Sequence, residues 1–298
     1  MKKILICYFS GTGNTKKVVF KAKECFEELG AEVTVHNIDE EFSLNLEDYD
    51  MLGISYPIHA FNAPSNVIKF VKGLTKLEKG EKKPLFIIKS SGEPLAINNI
   101  SSLKIRSILK RKGFVLNNEY HYCMPYNMIF RHTDAMAYRM WNSVIGVLPI
   151  DCREIIEGKK VKLRYIPFGR FMAYIMRIEH WGGRFNGKKY KVNENCINCQ
   201  LCVKRCPTHN ITVEDGKFKF GKNCLMCMRC SFHCPKNAIK IGWFENWKVN
   251  GAYNFNSPEE TEEDKHKRYC KKSYKKYFSR IEEKIKRYSD NLEKADEK

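Results

Sequence analysis

Eight of the thirteen cysteines in this 298-residue chain lie in one stretch, Cys196 to Pro235. It reads C-I-N-C-Q-L-C-V-K-R-C-P, then seventeen residues after Cys206, then C-L-M-C-M-R-C-S-F-H-C-P. Both halves are spaced C-x2-C-x2-C-x3-C-P. Thiolates in such numbers select zinc or iron–sulfur clusters. A structural zinc site needs only paired C-x2-C knuckles and four ligands. A third cysteine after two more residues, and a Cys-Pro step, in both halves, do not fit that pattern, nor is a disulfide framework the better reading. Three thiolates in one tight loop suit three corners of a [4Fe–4S] cube, and a fourth, held by its proline as a new turn starts, points away from it. The halves also repeat beyond the cysteines: C-P-T-H-N-I-T-V (206–213) aligns with C-P-K-N-A-I-K-I (234–241). That is the pattern of two small pseudo-twofold units.

A second chemical feature lies near the N-terminus. Lys3 to Phe9 (K-I-L-I-C-Y-F) is a continuous apolar run, as in a parallel strand buried on both faces. It runs into Ser10-Gly11-Thr12-Gly13-Asn14-Thr15, and an amphipathic stretch from Lys16 to Leu29 follows. There is no Walker A loop, and the dinucleotide fingerprint is met only at Gly11 and Gly13, with Lys16 where the third glycine belongs. What remains is a hydroxyl-rich loop at a helix N-terminus. Its backbone N–H groups and the side chains of Ser10, Thr12, Asn14 and Thr15 can wrap one terminal phosphate. An ordinary capping turn is the plainer alternative; six consecutive small or polar residues after a buried strand favour the phosphate.

The elements that must position this loop follow in order. A strand, a helix and a second strand from Glu32 to Asn37 make a βαβ crossover, so the sheet is parallel and right-handed. Tyr49 to Ser55, Lys83 to Lys89 and Phe114 to Cys123 supply three more strands. Helices fit at Ser65 to Leu77, Ala96 to Lys112, and Asp134 to Glu157 with a break at Pro149. S-G-T-G-N-T resembles the FMN-phosphate loop of flavodoxins. The resemblance implies an α/β flavodoxin-like domain over residues 1–157, a parallel sheet of order 2-1-3-4-5, and FMN at the strand ends beside the switch point. Two further loops would then meet the flavin. One is Tyr56-Pro57-Ile58-His59-Ala60-Phe61-Asn62, whose aromatics can stack on the ring. The other is Ser90-Ser91-Gly92-Glu93. Tyr126 and Asn127 are further candidates. The alternative is that Tyr56, His59 and Phe61 only pack their loop. The chain departs from a short flavodoxin after Cys123, running from Pro125 to Thr133 before a helix resumes.

The cysteine run resembles that of bacterial two-[4Fe–4S] ferredoxins. In that pattern Cys196, Cys199, Cys202 and Cys234 hold one cluster, and Cys224, Cys227, Cys230 and Cys206 the other. Together the signatures resemble the fused flavodoxin–ferredoxin electron-transfer proteins of anaerobic bacteria and archaea. The ferredoxin likeness covers about forty residues and is highly specific; the flavodoxin likeness rests mainly on one loop and the strand pattern. The expected organisation is a flavodoxin-like domain (1–157), a basic, aromatic connector (158–190), a small α+β ferredoxin domain (191–245), and a C-terminal wrap with an amphipathic helix (246–298). The implied function is passage of single electrons between two [4Fe–4S] clusters and FMN. The rival enzyme reading is FMN-dependent reduction of a small molecule, such as a quinone or nitro compound, fed by the same clusters.

The connector stretch 168–181 mixes apolar and basic residues at helical spacing. It can lie on a membrane surface; packing between the domains, aromatic side chains buried and basic ones outward, is the favoured expectation. Gly182-Gly183 should break it. From Glu259, periodic aromatics including Tyr269, Tyr274, Tyr277 and Phe278 mark a long helix, docked or binding a partner, with a frayed end from Ser289.

The net charge of +19 is uneven: +3 over residues 1–157, +8 over 158–195, +6 over 196–257 and +2 beyond. Such an excess steers acidic partners, anionic surfaces or nucleic acid. No nucleic-acid motif accompanies it, so the expected partner is an acidic redox protein. The opening apolar run is too short for a signal peptide, and no stretch is long enough to span a membrane. The expected location is a reducing cytoplasm, with Cys7, Cys25, Cys123, Cys152 and Cys270 as small hydrophobes.

Overall fold

A computed structural model describes residues 1–161, 165–256 and 271–296. The N-terminal part is a five-stranded parallel sheet built from β1 (Lys3–Tyr8), β2 (Glu32–Asn37), β3 (Met51–Pro57), β4 (Lys83–Ser91) and β5 (Phe114–Cys123). Its order is β2-β1-β3-β4-β5, all parallel, as expected. Alternation along β1 explains why the strand is apolar throughout. Ile4 and Ile6 face α1 (Asn14–Glu28) and α4 (Asp134–Ile156), packing with Val18, Phe26 and Val144. Leu5 and Cys7 face the other way, toward α2 (Ser65–Gly73) and α3 (Leu103–Arg111), with Val67, Val71 and Leu109. A strand buried on both faces has no polar side to show.

Pro149 does not break α4. The helix runs unbroken from Asp134 to Ile156. Proline leaves the carbonyl four residues back without its donor, and that residue, Ile145, is exposed, as is Pro149, so water can serve the carbonyl. The C-terminal helix α9 (Lys271–Asp296) lies on α4, with Tyr274, Phe278 and Ile281 buried. It stays helical through Asp296 and shows no fraying from Ser289. Tyr269, Cys270 and the expected helix start near Glu259 lie outside the described residues.

The connector overturns its expectation. It forms two helices, α5 (Gly169–Ile175) and α6 (Ile178–Gly187), and Gly182-Gly183 lie inside α6 rather than breaking it. The pair does lie between the two halves of the molecule, but with the opposite face inward. Small residues make the contact. A Cβ on Gly169 would lie 3.0 Å from the Ile100 side chain, and one on Gly187 would collide with Cys224. The large residues point to water, with Phe171 63%, Tyr174 68% and Trp181 61% exposed. Close approach of the two backbones selects glycine and alanine for the interface and leaves no room there for aromatics.

The cysteine-rich part consists of two similar units. One carries α7 (Leu201–Lys204), β7 (Ile211–Glu214) and β8 (Lys217–Phe220); the other carries α8 (Arg229–Phe232) and β9 (Ile239–Lys240), which pairs with β6 (Lys191–Val192). Positive φ recurs at matching places: 55°, 56° and 48° at Asn198, Gln200 and His209, and 48°, 59° and 48° at Met226, Met228 and Asn237. The repeat seen in the letters is therefore a repeat of backbone shape. Residues 245–256 run back over α4, where Tyr253 packs with Ala137 and donates to the Tyr126 carbonyl at 2.6 Å. Among the described residues no helix is long and apolar enough to cross a membrane.

Candidate functional site

The strand ends of the sheet open into a cavity of about 510 Å³. That volume is in the range of small-molecule and cofactor sites. The phosphate-type loop forms its floor. Gly13 caps α1 in the left-handed conformation (φ 106°), no side chain caps the helix, and its first turn holds no acidic residue. The first-turn N–H groups of α1 are thus left for an anion. Around them, Asn14 Nδ2 donates to the Pro125 carbonyl at 2.7 Å, the hydroxyls of Thr15 and Ser90 lie 2.7 Å apart, and Gly13 N–H donates to Ser10 Oγ at 3.1 Å.

Most of the expected contact residues line this cavity: Ser10, Gly11, Thr12, Asn14 and Thr15; Pro57, His59, Ala60 and Phe61; Ser90, Ser91, Gly92 and Glu93. Three do not. Tyr56 is fully buried in the core between β3 and α3, its hydroxyl 3.4 Å from Ser101 Oγ, and does not face the cavity. Strand alternation sends it the wrong way. Asn62 folds back under its own loop, its backbone paired with His59. Gly13 sits behind the loop as the helix cap.

The 90s loop rests on a buried polar network. Asn98 donates to Ser91 Oγ at 3.1 Å and to the Glu93 carbonyl at 2.9 Å. Below it, Lys89 forms an ion pair with Glu119 and donates to the Asn98 carbonyl at 3.1 Å. His121 Nε2 lies 2.7 Å from Ser91 Oγ, and burial, then the nearby Lys89, pushes its pKa down to about 3, so the ring is neutral. Burial raises the Glu93 carboxyl above its ordinary value, against the hydrogen bonds from Tyr126 and Asn98. Burial lowers His59 to about 4, so it too is neutral. From α9, Tyr274 donates to the Gly92 carbonyl.

The roof was not legible in the sequence. Met124 to Ile129 close one side, Met176 and Gly182 come from the connector helices, and Met226, Phe244 and Trp247 come from the cysteine-rich part. Tyr126 and Asn127, secondary candidates, do line the cavity. A separate groove of about 810 Å³ runs between α2, α6 and Pro207–His209, but it contains none of the phosphate-type loop.

The eight cysteines surround two small cavities. One is lined by Cys196, Cys199, Cys202, Cys230 and Cys234; the other by Cys206, Cys224, Cys227 and Cys230, beside Tyr190 and Met226. The thiols stand around these spaces. Among the described residues no three His, Cys, Asp or Glu groups gather as a single ion would need. Backbone N–H groups point at sulfur in register: Asn198 to Cys196 and Met226 to Cys224 at 3.4 Å, Asn210 to Cys206 and Ala238 to Cys234 at 3.2 Å. The positive-φ residues make these bonds possible, at a backbone cost non-glycine residues seldom accept. Burial pushes the Cys224 thiol up to about 11 and Cys227 up to about 12. A thiolate there needs positive charge beside it, which a bound iron cluster would supply.

A family model described as a flavodoxin domain matches residues 5–91, and one described as a 4Fe-4S binding domain matches residues 189–212. The chain joins a flavodoxin domain to a 4Fe–4S binding domain. Three solved structures are similar to it. They are a short-chain flavodoxin associated with a non-canonical PDU bacterial microcompartment (16% identity, 53% of this chain and 98% of that one, TM-score 0.39), flavodoxin 1 from Bacillus cereus (14%, 52% and 97%, 0.39), and a Fusobacterium nucleatum flavodoxin bound to flavin mononucleotide (15%, 53% and 98%, 0.38). No curated protein matches.

The flavodoxin and 4Fe–4S domains meet at the phosphate-type loop. Gly11 lies so close to the Cys227 carbonyl that a Cβ would overlap it. Arg229, between Met228 and Cys230, fastens the junction. Its guanidinium donates to the Ser10 carbonyl at 2.7 Å, the Gly11 carbonyl at 3.3 Å and the Arg205 carbonyl at 3.1 Å, and pairs with Asp39 at 2.5 Å. A planar fork with five donors can hold four partners; lysine cannot. Sequence reasoning missed Arg229 because its partners across the junction, Ser10, Gly11 and Asp39, lie 190 to 219 residues away.

Proposed function

We propose that the chain binds FMN in the large cavity and one [4Fe–4S] cluster in each thiol cavity, and passes single electrons between them. When bound, such clusters carry one electron each at low potential and a flavin accepts one or two. The observation that carries the reading is contiguity. Cys230 lines both thiol cavities, and Met226 lines both the second of them and the large cavity. Three redox sites would then stand in line within one molecule.

The chain's own residues give each site its properties. The α1 amides with Ser10, Thr12, Asn14 and Thr15 would take the phosphate, and the 57–61, 90–93 and 124–129 loops the ring. Cys196, Cys199, Cys202 and Cys234 would hold the outer cluster, and Cys206, Cys224, Cys227 and Cys230 the inner one. Met176, Met226, Phe244 and Trp247 stand over one side of the cavity, and this partial cover favours a carrier over an enzyme with an open substrate pocket. Cys199 is exposed, as are Lys204, five residues on, and Lys236, which lines the same cavity. An acidic redox protein docking there would reach the outer cluster first.

Anaerobic reconstitution tests the cofactor content: about eight irons, eight sulfides and one FMN per chain are expected. Riboflavin, which lacks the phosphate, should bind much more weakly than FMN. Two zinc ions without labile sulfide would defeat the cluster assignment, and equal affinity for riboflavin and FMN would defeat the loop's role.

A further inference from the structure

The connector helices leave a large apolar face in water. Phe171, Tyr174, Ile178, Trp181 and Phe185 are each more than half exposed, and Trp243, 67% exposed, adjoins them. Its backbone N–H donates to Asn186 Oδ1 of α6 at 2.8 Å, and Lys189 Nζ lies 4.7 Å from its ring. A helix with its large side chains outward and its small ones inward has its apolar stripe turned away from the core. Water is the wrong medium for so many aromatics, and a contiguous patch of this kind marks an interaction surface.

The charges beside the patch indicate what covers it. Within Gly169–Gly187 the charged residues are Arg170, Arg177, Arg184 and Glu179. The exposed Arg184 guanidinium lies 5.5 Å from the Trp181 ring centre and that of the half-buried Arg177 lies 5.9 Å from the Tyr174 ring centre, so cations lie beside the rings. Lys188 and Lys189 follow, both exposed. The segment 158–195 carries a net charge of +8. Aromatic rings with basic groups at the same depth match a lipid interface, where rings reach the acyl boundary and cations meet the headgroup phosphates.

We propose that the outer face of α5 and α6, with Trp243, seats the protein on an anionic lipid bilayer without crossing it. The inward side of the same helices supplies Met176 and Gly182 to the large cavity, so the bilayer would lie just beyond that wall. This inference does not depend on the cofactor assignment, because its test reads membrane partition.

The full-length, cofactor-loaded protein is sedimented with vesicles of phosphatidylcholine alone and with one-third phosphatidylglycerol, at low and high salt. Binding to the anionic vesicles, weakened by salt, is expected, with little binding to phosphatidylcholine. The triple variant Phe171→Ser, Trp181→Ser, Phe185→Ser should lose partition by at least about tenfold, and Arg170→Gln with Arg184→Gln by about tenfold. Both should keep wild-type FMN content and thermal stability, because the replaced side chains already face water. Three results would overturn the proposal: no binding to either vesicle, binding unchanged by the aromatic substitutions, or a concentration-dependent dimer that the triple variant abolishes, which would mean a second copy covers the face.

Discussion

At the scale of single residues, Arg229 and Cys206 carry the most informative predictions. Arg229→Met would leave Asp39, 11% exposed, without its partner and free the Ser10 and Gly11 carbonyls. Stability should fall by about 1–3 kcal/mol, as when partly buried charged hydrogen-bond partners are removed, and FMN affinity should fall with it, because the loop loses its outer support. Thermal melts and flavin titration check both. Unchanged FMN affinity would mean that the guanidinium only joins the domains. Cys206→Ala tests ligand crossover. Cys206 lines the same cavity as Cys224, Cys227 and Cys230. The variant should damage that cluster and spare the one held by Cys196, Cys199 and Cys202, as seen by paramagnetic resonance. Loss of the outer cluster instead would show ligation in consecutive order.

At the scale of elements, what could be read from the letters depended on how local the cause was. β1 and the loop after it were legible because a strand buried on both faces and a hydroxyl-rich turn are each written in fewer than ten residues. The thiol units were legible for the same reason, down to a repeat that reappears in φ. Tyr56 was not legible, because the letters end the strand at Ser55; β3 extends two residues further, to Pro57, and alternation puts the ring in the core. The connector was misread because hydrophobic periodicity gives the apolar face of a helix without saying whether that face or the glycine face meets the protein. Glycine at 169, 183 and 187 was the available signal. The docking of α9 is not legible locally because its partners are far away in the chain. There Lys284 pairs with Asp151 at 2.5 Å and Glu154 at 2.6 Å. Burial raises Asp151 from its ordinary 3.8 to about 6 despite Lys284, so this group's contribution to stability is fully present below about pH 4 and is lost as pH rises through 6. Glu154 is held lower by Lys159 and Lys284 against its partial burial, and acts in the opposite sense. Removing Lys284 takes the cation from both carboxylates. The stability gap between wild type and Lys284→Met should therefore be narrower near pH 4, where Asp151 is protonated, and widen to about 3 kcal/mol by neutral pH, toward the low end for breaking a buried pair because the lysine is partly exposed. Melting curves across that range check it; parallel curves would show that the pair does not anchor α9.

At the scale of the whole molecule, the central claim is that the flavodoxin and 4Fe–4S domains form one electron-transfer unit. The contact of Gly11 with Cys227, the three bonds of Arg229 to Ser10, Gly11 and Asp39 and the shared Met226 make the junction continuous. The direct measurement is rapid mixing of the loaded protein with a reduced protein donor, following cluster and flavin absorbance separately over a range of protein concentrations. The account predicts that the clusters bleach first and that flavin reduction then follows at a rate independent of protein concentration. A flavin phase whose rate rises in proportion to protein concentration would contradict it, because electrons would then be passing between molecules and not within one.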